Sequence, residues 1–336
     1  MNIDYNELIS IENLFESWRA YRKGKSRRSD VMEFERHLED NLFSLRDELR
    51  SGNYAHGEYL YFRISDPKKR DIYKSTVGDR VVHQAMYKYL CGKYEPQFSE
   101  YSFSSRKGKG THKAVKTLKK QTSVAKISRK RCWAMKCDVR KYFENIDHKI
   151  LLAILRNRIS DENIFNLLKI IVGSFHKETA RGVPLGNITS QVFANIYLNE
   201  LDKFAENELK LKDCYVRYSD DFIIVGDNKK DLFDQVEKIR KFLSEKLMLE
   251  LPREKIAFRK LRWGIDFCGC IILPNAVLLR NKTKGRMFEK INAIAHKASL
   301  GKISKGDLRR ILDSYLGLLL HYNTHKLKGK IKNKYC

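Results

Sequence analysis

A chain of 336 residues with 42% hydrophobic side chains is long enough to bury a sizeable core split over two or three subdomains. Its 67 lysines and arginines against 41 acids leave a net charge of +26, with no single tail carrying the excess. Such a balance suits a surface that meets a polyanion, where phosphate contacts displace counterions. No apolar run approaches the roughly 18 residues of a membrane span, and the polar, acidic start MNIDYNELISIE is unlike a secretory signal. Seven cysteines, at 91, 132, 137, 214, 268, 270 and 336, show neither CxxC pairs nor histidines at zinc spacing, so reduced thiols and a cytoplasmic protein are expected.

In chain order, residues 5–21 and 30–50 carry apolar side chains at helical spacing (Leu8, Ile11, Leu14, Phe15, Trp18; Phe34, Leu38, Leu42, Leu45, Leu49), and Gly52 closes the second helix. A strand is predicted over 58–64, a turn at Asp66-Pro67, and a helix from Gly78-Asp79 to about Leu90. A Gly/Lys/Ser-rich loop, 99–111, precedes a helix over 112–120 and a strand over 133–138. Asp147 and Asp161 stand as N-caps of the next two helices. A hairpin over 175–185, a long helix from about Ser190 to Leu209, and a strand–turn–strand unit from Cys214 to Gly226 follow. Asp227 is placed to cap a helix over 229–247. Strands are predicted over 256–259, 266–273 and 277–280, with Cys268-Gly269-Cys270 read as strand with one face buried. Two or three basic helices occupy 283–326. The basic runs at 22–28, 106–131 and 326–334 could each singly be a solvated face.

The most informative stretch is CYVRYSDDFIIVG, in which Asp220 and Asp221 are flanked by β-prone apolar runs. Aspartate is depleted in strands and adjacent carboxylates repel, so such a pair at a hairpin tip has a use in holding a hard divalent cation. Alone, the pair reads as readily as a solvated turn. A second carboxylate changes this: the apolar strand WAMKCD surfaces at Asp138, about 80 residues earlier. Aspartates from two strands meeting at one sheet edge can hold two metals for an in-line phosphoryl transfer.

At this point the chain resembles the reverse transcriptases. Tyr218–Asp221 matches the family's Y-x-D-D and Asp138–Phe143 its D-x-x-x-x-F. The resemblance implies an α+β right-hand polymerase fold: a helical extension over 1–57, fingers over 58–132, a palm over 133–275 with a hairpin at 175–190, and a basic helical thumb over 276–336. It also implies catalytic Asp138, Asp220 and Asp221, with two Mg²⁺ ions (Mn²⁺ as a substitute) held by Asp138, Asp220 and the Val139 carbonyl. Arg63 and Arg70 sit where the family clamps the incoming triphosphate, and arginine offers phosphate a planar fork. Phe143 falls at the sugar gate, though a core phenylalanine would look the same. Leu185, Gly186, Gln191 and Tyr218 complete the implied nucleotide site. Lys255 matches the lysine that protonates pyrophosphate, although a surface lysine reads nearly as well. Phe267, Cys268 and Gly269 match the primer grip. Lys68, Lys69, Arg80, Lys107 and Lys109 are the implied nucleic-acid contacts, with pairing to an acid as the other reading of Arg80.

One motif narrows the resemblance. Pro184-Leu185-Gly186-Asn187-Ile188-Thr189-Ser190-Gln191 has Leu-Gly where most members have Gln-Gly, and ends Ser-Gln rather than Ser-Pro. It is similar to the reverse transcriptases of diversity-generating retroelements, which copy a template RNA with errors at adenines during mutagenic retrohoming. That implies template RNA, a cDNA/RNA primer, deoxynucleoside triphosphates and a small basic helical accessory protein forming an oligomeric ring as partners. Ser219 departs from the Met common at its place. A retron or abortive-infection reverse transcriptase, or a non-catalytic RNA-binding palm, are the alternatives.

Overall fold

The computed structural model describes residues 3–65, 69–127 and 133–335, with the side chains of 125–127 excepted. The turn expected at Asp66-Pro67, Lys68, Cys132 and Cys336 lie outside the described residues. The helices are α1 (Tyr5–Leu8), α2 (Ile11–Arg22), α3 (Ser29–Arg36), α4 (Leu38–Ser51), α5 (Val77–Tyr94), α6 (Thr111–Ile127), α7 (His148–Arg156), α8 (Glu162–Gly173), α9 (Ile188–Lys203), α10 (Lys229–Leu247), α11 (Asn281–Ser299), α12 (Lys305–Leu319) and α13 (His325–Tyr335). The strands are β1 (Leu60–Ile64), β2 (Arg70–Lys74), β3 (Trp133–Asp138), β4 (Tyr215–Tyr218), β5 (Asp221–Gly226), β6 (Ile256–Lys260), β7 (Ile265–Phe267), β8 (Cys270–Ile272) and β9 (Val277–Leu279). None of the described helices is long and apolar enough to cross a membrane.

The chain divides into two compact units, each drawn from three stretches. The first comprises residues 1–100, 139–204 and 238–252. Its centre is α9, which buries Val192, Phe193, Ile196, Tyr197, Leu198 and Leu201 and packs on α5, against which α2 also lies. Polar side chains pin this core to carbonyls. Tyr197 donates to the Leu247 carbonyl at 2.7 Å and Tyr142 to that of Ala194. Thr76 and Asp79 form a capping box that starts α5. Gly52 closes α4 at φ +76°, in the left-handed region that glycine enters without penalty. The β1–β2 hairpin pairs Arg63 with Asp71 and Ile64 with Arg70.

The second unit comprises residues 101–138, 205–237 and 253–336. Its four-stranded antiparallel sheet runs β4-β5-β3-β6 and its three-stranded sheet β7-β8-β9. Helix α6 packs on β4 and β8. Cys137, Tyr215, Phe222, Ile223 and Ile224 are fully buried, and because successive strand residues point to opposite faces, the centre of this sheet is covered on both sides.

Several elements differ from expectation. The strand expected over 266–273 is the β7–β8 hairpin, turned at Cys268 (φ +48°) and Gly269 (φ +80°), so Cys268 is a turn residue. Cysteine is no turn former, which hid the reversal. The hairpin expected over 175–185 forms no strand pair among the described residues. Only single bridges, Glu178 to Arg181 and Asp147 to Arg181, occur there. Positive φ at Gly182 (+97°) and Gly186 (+121°) and the missing N–H of Pro184 interrupt any ladder. Helix α10 is capped by Asn228, which accepts from the Asp231 amide at 2.9 Å, rather than by Asp227. The long helix expected to Leu209 leaves α-geometry after Lys203 for a single π-type turn over Phe204–Glu208.

Candidate active site

The second unit builds its acidic site from the β3, β4 and β5 ends. Strand β3 is an apolar run that buries Ala134, Met135 and Cys137 and surfaces at Asp138. Asp138 stands directly opposite Asp221, the first residue of β5, and Asp221 stands opposite Tyr218, the last residue of β4. Ser219 and Asp220 are therefore the two-residue turn between strands. Ser219 lies at φ +59°, a conformation that costs a non-glycine residue about 1–3 kcal/mol and persists only when its surroundings hold it.

Two lysines stand on these carboxylates. Lys255, beside the start of β6, donates to Asp138 Oδ1 at 2.8 Å. Lys136, two residues before Asp138 and so on the same strand face, places Nζ 3.5 Å from Asp221 Oδ2. The hydrogen bond to Asp138 raises the Lys255 ammonium above its ordinary value. Burial first, opposed by Lys136 and reinforced by Asp220 and Asp138, holds the Asp221 carboxyl well above the usual carboxylate range. The other oxygen of Asp221, Oδ1, is buried without a hydrogen-bond partner.

These observations test whether the residues suit a divalent cation. Opposed carboxylates, one with a buried oxygen that makes no hydrogen bond, favour positive charge beside them, as the two lysines already show. The donors are hard oxygens, the kind Mg²⁺ selects. Among the described residues no three His, Cys, Asp or Glu side chains form a ready-made cage. Mg²⁺ needs none: it keeps several waters and is held by one or two carboxylates plus substrate phosphates. The oxygen chemistry of Asp138, Asp220 and Asp221 fits such a cation.

The β7–β8 turn belongs to the same neighbourhood. Burial, then the Asp221 carboxylate, push the Cys268 thiol up to about 12. Phe267 is fully buried, and Gly269 gives its carbonyl to the Thr283 hydroxyl at 3.1 Å. Burial, then Cys268, also raise the Tyr218 phenol. In the loop before α6, Lys107 is exposed, and Lys109 lies 5.2 Å over the Phe103 ring.

The first unit carries the other expected residues. Val139 is buried at the unit's edge in sequence. Half-buried Phe143 lies in a short 3₁₀ turn, its carbonyl accepting from the Val183 amide at 2.8 Å and its ring set edge-on to Tyr142. Leu185 accepts from the Tyr73 amide at 3.1 Å, tying its loop to β2. A Cβ on Gly186 would approach Ile72 Cγ2 to 3.1 Å on a backbone already at φ +121°, so glycine suits this position twice over. Gln191 is exposed at the start of α9. Exposed Arg63 pairs with Asp71 at 2.8 Å, and Lys69 and Arg70 are exposed beside it. Arg80 is held by the Tyr21 hydroxyl and by Asp30 at 3.6 Å, the acid-paired alternative. Lys136 and Arg217 were not singled out in the sequence. The signal for Lys136 was its two-residue offset from Asp138; for Arg217 it was a cation inside the apolar run YVRY.

Residues 66–272 match the family model described as "Reverse transcriptase (RNA-dependent DNA polymerase)", and the chain belongs to that family. Its enzymatic class is accordingly that of an RNA-directed DNA polymerase, and its fold the α+β fold of the family. It is 29% identical over 265 residues to Protein YkfC of Escherichia coli, covering 67% of this chain and 69% of that protein. It is 27% identical over 331 residues to the group II intron-encoded protein LtrA of Lactococcus lactis, covering 88% of this chain. The chain spans 53% of LtrA's length. A solved telomerase from Candida albicans, in complex with a fragment of telomeric RNA, aligns over 89% of this chain and 64% of its own at TM-score 0.49 and 12% identity.

Proposed function

We propose that the chain copies a template RNA into cDNA with errors concentrated at adenines, as the reverse transcriptase of a diversity-generating retroelement. The observation supporting catalysis is the direct opposition of Asp138 and Asp221 beside the Asp220 turn. When bound, the pair of Mg²⁺ ions supplies Lewis-acid activation of the attacking oxygen and steadies the leaving group. The chain's own residues do the rest. Asp138, Asp220 and Asp221 hold and orient. Lys255, released from Asp138, gives its proton to the departing pyrophosphate. Arg63 and Arg70 grip the triphosphate. Lys69, Lys107 and Lys109 follow the phosphate backbone. The Phe143 ring fills the space a ribose 2′-hydroxyl would need. Residues 58–132 serve as fingers, 133–275 as palm and 276–336 as thumb, and a small basic helical protein is the accessory partner.

The adenine-directed reading rests on Leu185. Its side chain neither donates nor accepts a hydrogen bond, so the nucleotide's sugar is held less firmly than by glutamine and mispairs are rejected less well. A loss of about 1–2 kcal/mol in discrimination means about five- to thirtyfold more errors. The test copies a defined RNA with the native enzyme and with Leu185→Gln and sequences the cDNA. Misincorporation opposite adenine, reduced in the variant, is expected. Equal error rates at all four template bases in the native enzyme would reject the retroelement reading and leave the polymerase standing.

A further inference from the structure

Arg217 is fully buried, which is rare for a side chain that stays charged at any ordinary pH. It occupies β4 opposite Phe222, whose other neighbour is Cys137, and both of these are also fully buried. Alternation puts this layer on the sheet face opposite to Asp138, Tyr218 and Asp221. Its backbone is fixed from outside the sheet as well: the Arg217 amide donates to the Tyr101 carbonyl at 2.8 Å, and its carbonyl accepts from the Phe103 amide at 3.0 Å. From this anchored position the guanidinium passes beneath the turn, and Nη1 donates to the Ser219 carbonyl at 3.0 Å.

The same Ser219 carries the positive φ of the aspartate turn. A strained residue needs surroundings that over-determine it, and a charge-assisted hydrogen bond to its carbonyl is such a restraint. We propose that Arg217 is a positioning residue for nucleotidyl transfer. It latches the Ser219 carbonyl, keeps the turn in its strained form, and so aims Asp220 and Asp221 at the metals. Removing a buried, hydrogen-bonded charge also has a folding cost, so the latch is tested by a readout that a purely structural role would not move. The inference rests on the reading that these aspartates serve the polymerase centre.

The experiment is a double-mutant cycle. Single-nucleotide addition by Arg217→Met and Arg217→Lys is measured in the native and Ser219→Gly backgrounds. Mn²⁺ binding by electron paramagnetic resonance and thermal melting are followed on the same proteins. Glycine adopts φ +59° without strain, so the latch has less to do in that background. Arg217→Met is expected to lower kcat about 10²-fold with KM for nucleotide little changed, the effect of a small misplacement of catalytic groups. Mn²⁺ binding weakens in parallel, in protein that melting shows to be folded. Arg217→Lys, which keeps the charge and loses the fork, falls between. The same Arg217→Met exchange in the Ser219→Gly background costs less than about tenfold, which is the coupling the latch requires. An equal cost in both backgrounds, or a native kcat in Arg217→Met, overturns the latch. Should Arg217→Met fail to fold, Arg217→Lys carries the cycle alone. Failure of the underlying reading is separate: it would appear as full activity in Asp220→Asn, whatever residue stands at 217.

Discussion

Acid should loosen the first unit through His83. This side chain is wholly buried on α5, its Nε2 3.2 Å from Nε2 of His56, with the Tyr59 hydroxyl 3.2 Å from that same His56 nitrogen. His56 Nδ1 lies 3.7 Å from Asp79 Oδ2, and Tyr54 donates to Asp79 at 2.8 Å. Facing nitrogens can share only one proton between them, so a second proton has no acceptor. Burial first, then His56, push His83 down to about 3, against a weaker opposite pull from Asp79. The unfolded value is about 6.5, so below it the unfolded chain binds a proton that the folded chain refuses, and stability falls as pH falls. Between pH 7 and pH 5 the loss amounts to about 2 kcal/mol, approaching about 1.4 kcal/mol per pH unit at the lower end. The assay is native-state hydrogen exchange of the α5 amides across that range, in the native protein and in His83→Gln, which keeps a polar partner for His56. The opening free energy of the native protein should fall with acid and that of the variant should fall by about 2 kcal/mol less. Parallel profiles would show that His83 accepts its proton in the folded state and would refute the argument.

Three further outcomes follow from the same structure. Phe143→Ala should admit ribonucleotides while retaining DNA synthesis, read as the ratio of ribo- to deoxynucleotide efficiency; an unchanged ratio returns the ring to a packing role against Tyr142. RNA affinity should drop about 10³–10⁵-fold between 50 and 200 mM salt, as for roughly six to ten phosphate contacts; a flat profile would assign the +26 charge to something else. Lys255→Ala should lower the rate of nucleotide addition about 10²-fold, the smaller end of general-acid effects; native turnover would leave Lys255 as a counter-ion of Asp138 and nothing more.

Much of this was readable where the cause is local. Asp147 and Asp161 cap α7 and α8 through their own side chains, and Gly52 ends α4 by its own backbone freedom. Asp138 and the Asp220-Asp221 pair stood out because carboxylates interrupt apolar strands. What escaped depends on partners distant in the chain. Lys136 acquires meaning from Asp221, on another strand. Leu185 is tied to Tyr73 by a backbone bond that no pattern announces. Arg217 looked like one more basic residue until its burial placed it under the Ser219 turn. The Cys268-Gly269 reversal was hidden by two apolar flanks, Phe267 and the run after Cys270, which together read as one strand. Helix α2 was merged with α1 because Ser10, which caps it by accepting from the Asn13 amide, sits within an unbroken helical period.

The central claim is that Asp138 and Asp220 carry a metal-dependent polymerase centre. The most direct measurement is single-nucleotide extension of a primer on an RNA template, with Mg²⁺ and with chelator, by the native chain and by Asp138→Asn and Asp220→Asn. Each substitution keeps shape and removes one negative oxygen, so the protein should stay folded while transition-state stabilisation falls by several kcal/mol, a loss of about 10³-fold or more. Chelator should abolish the native activity. Extension within about tenfold of native by either folded variant, a difference of only about 1.4 kcal/mol, would contradict the account.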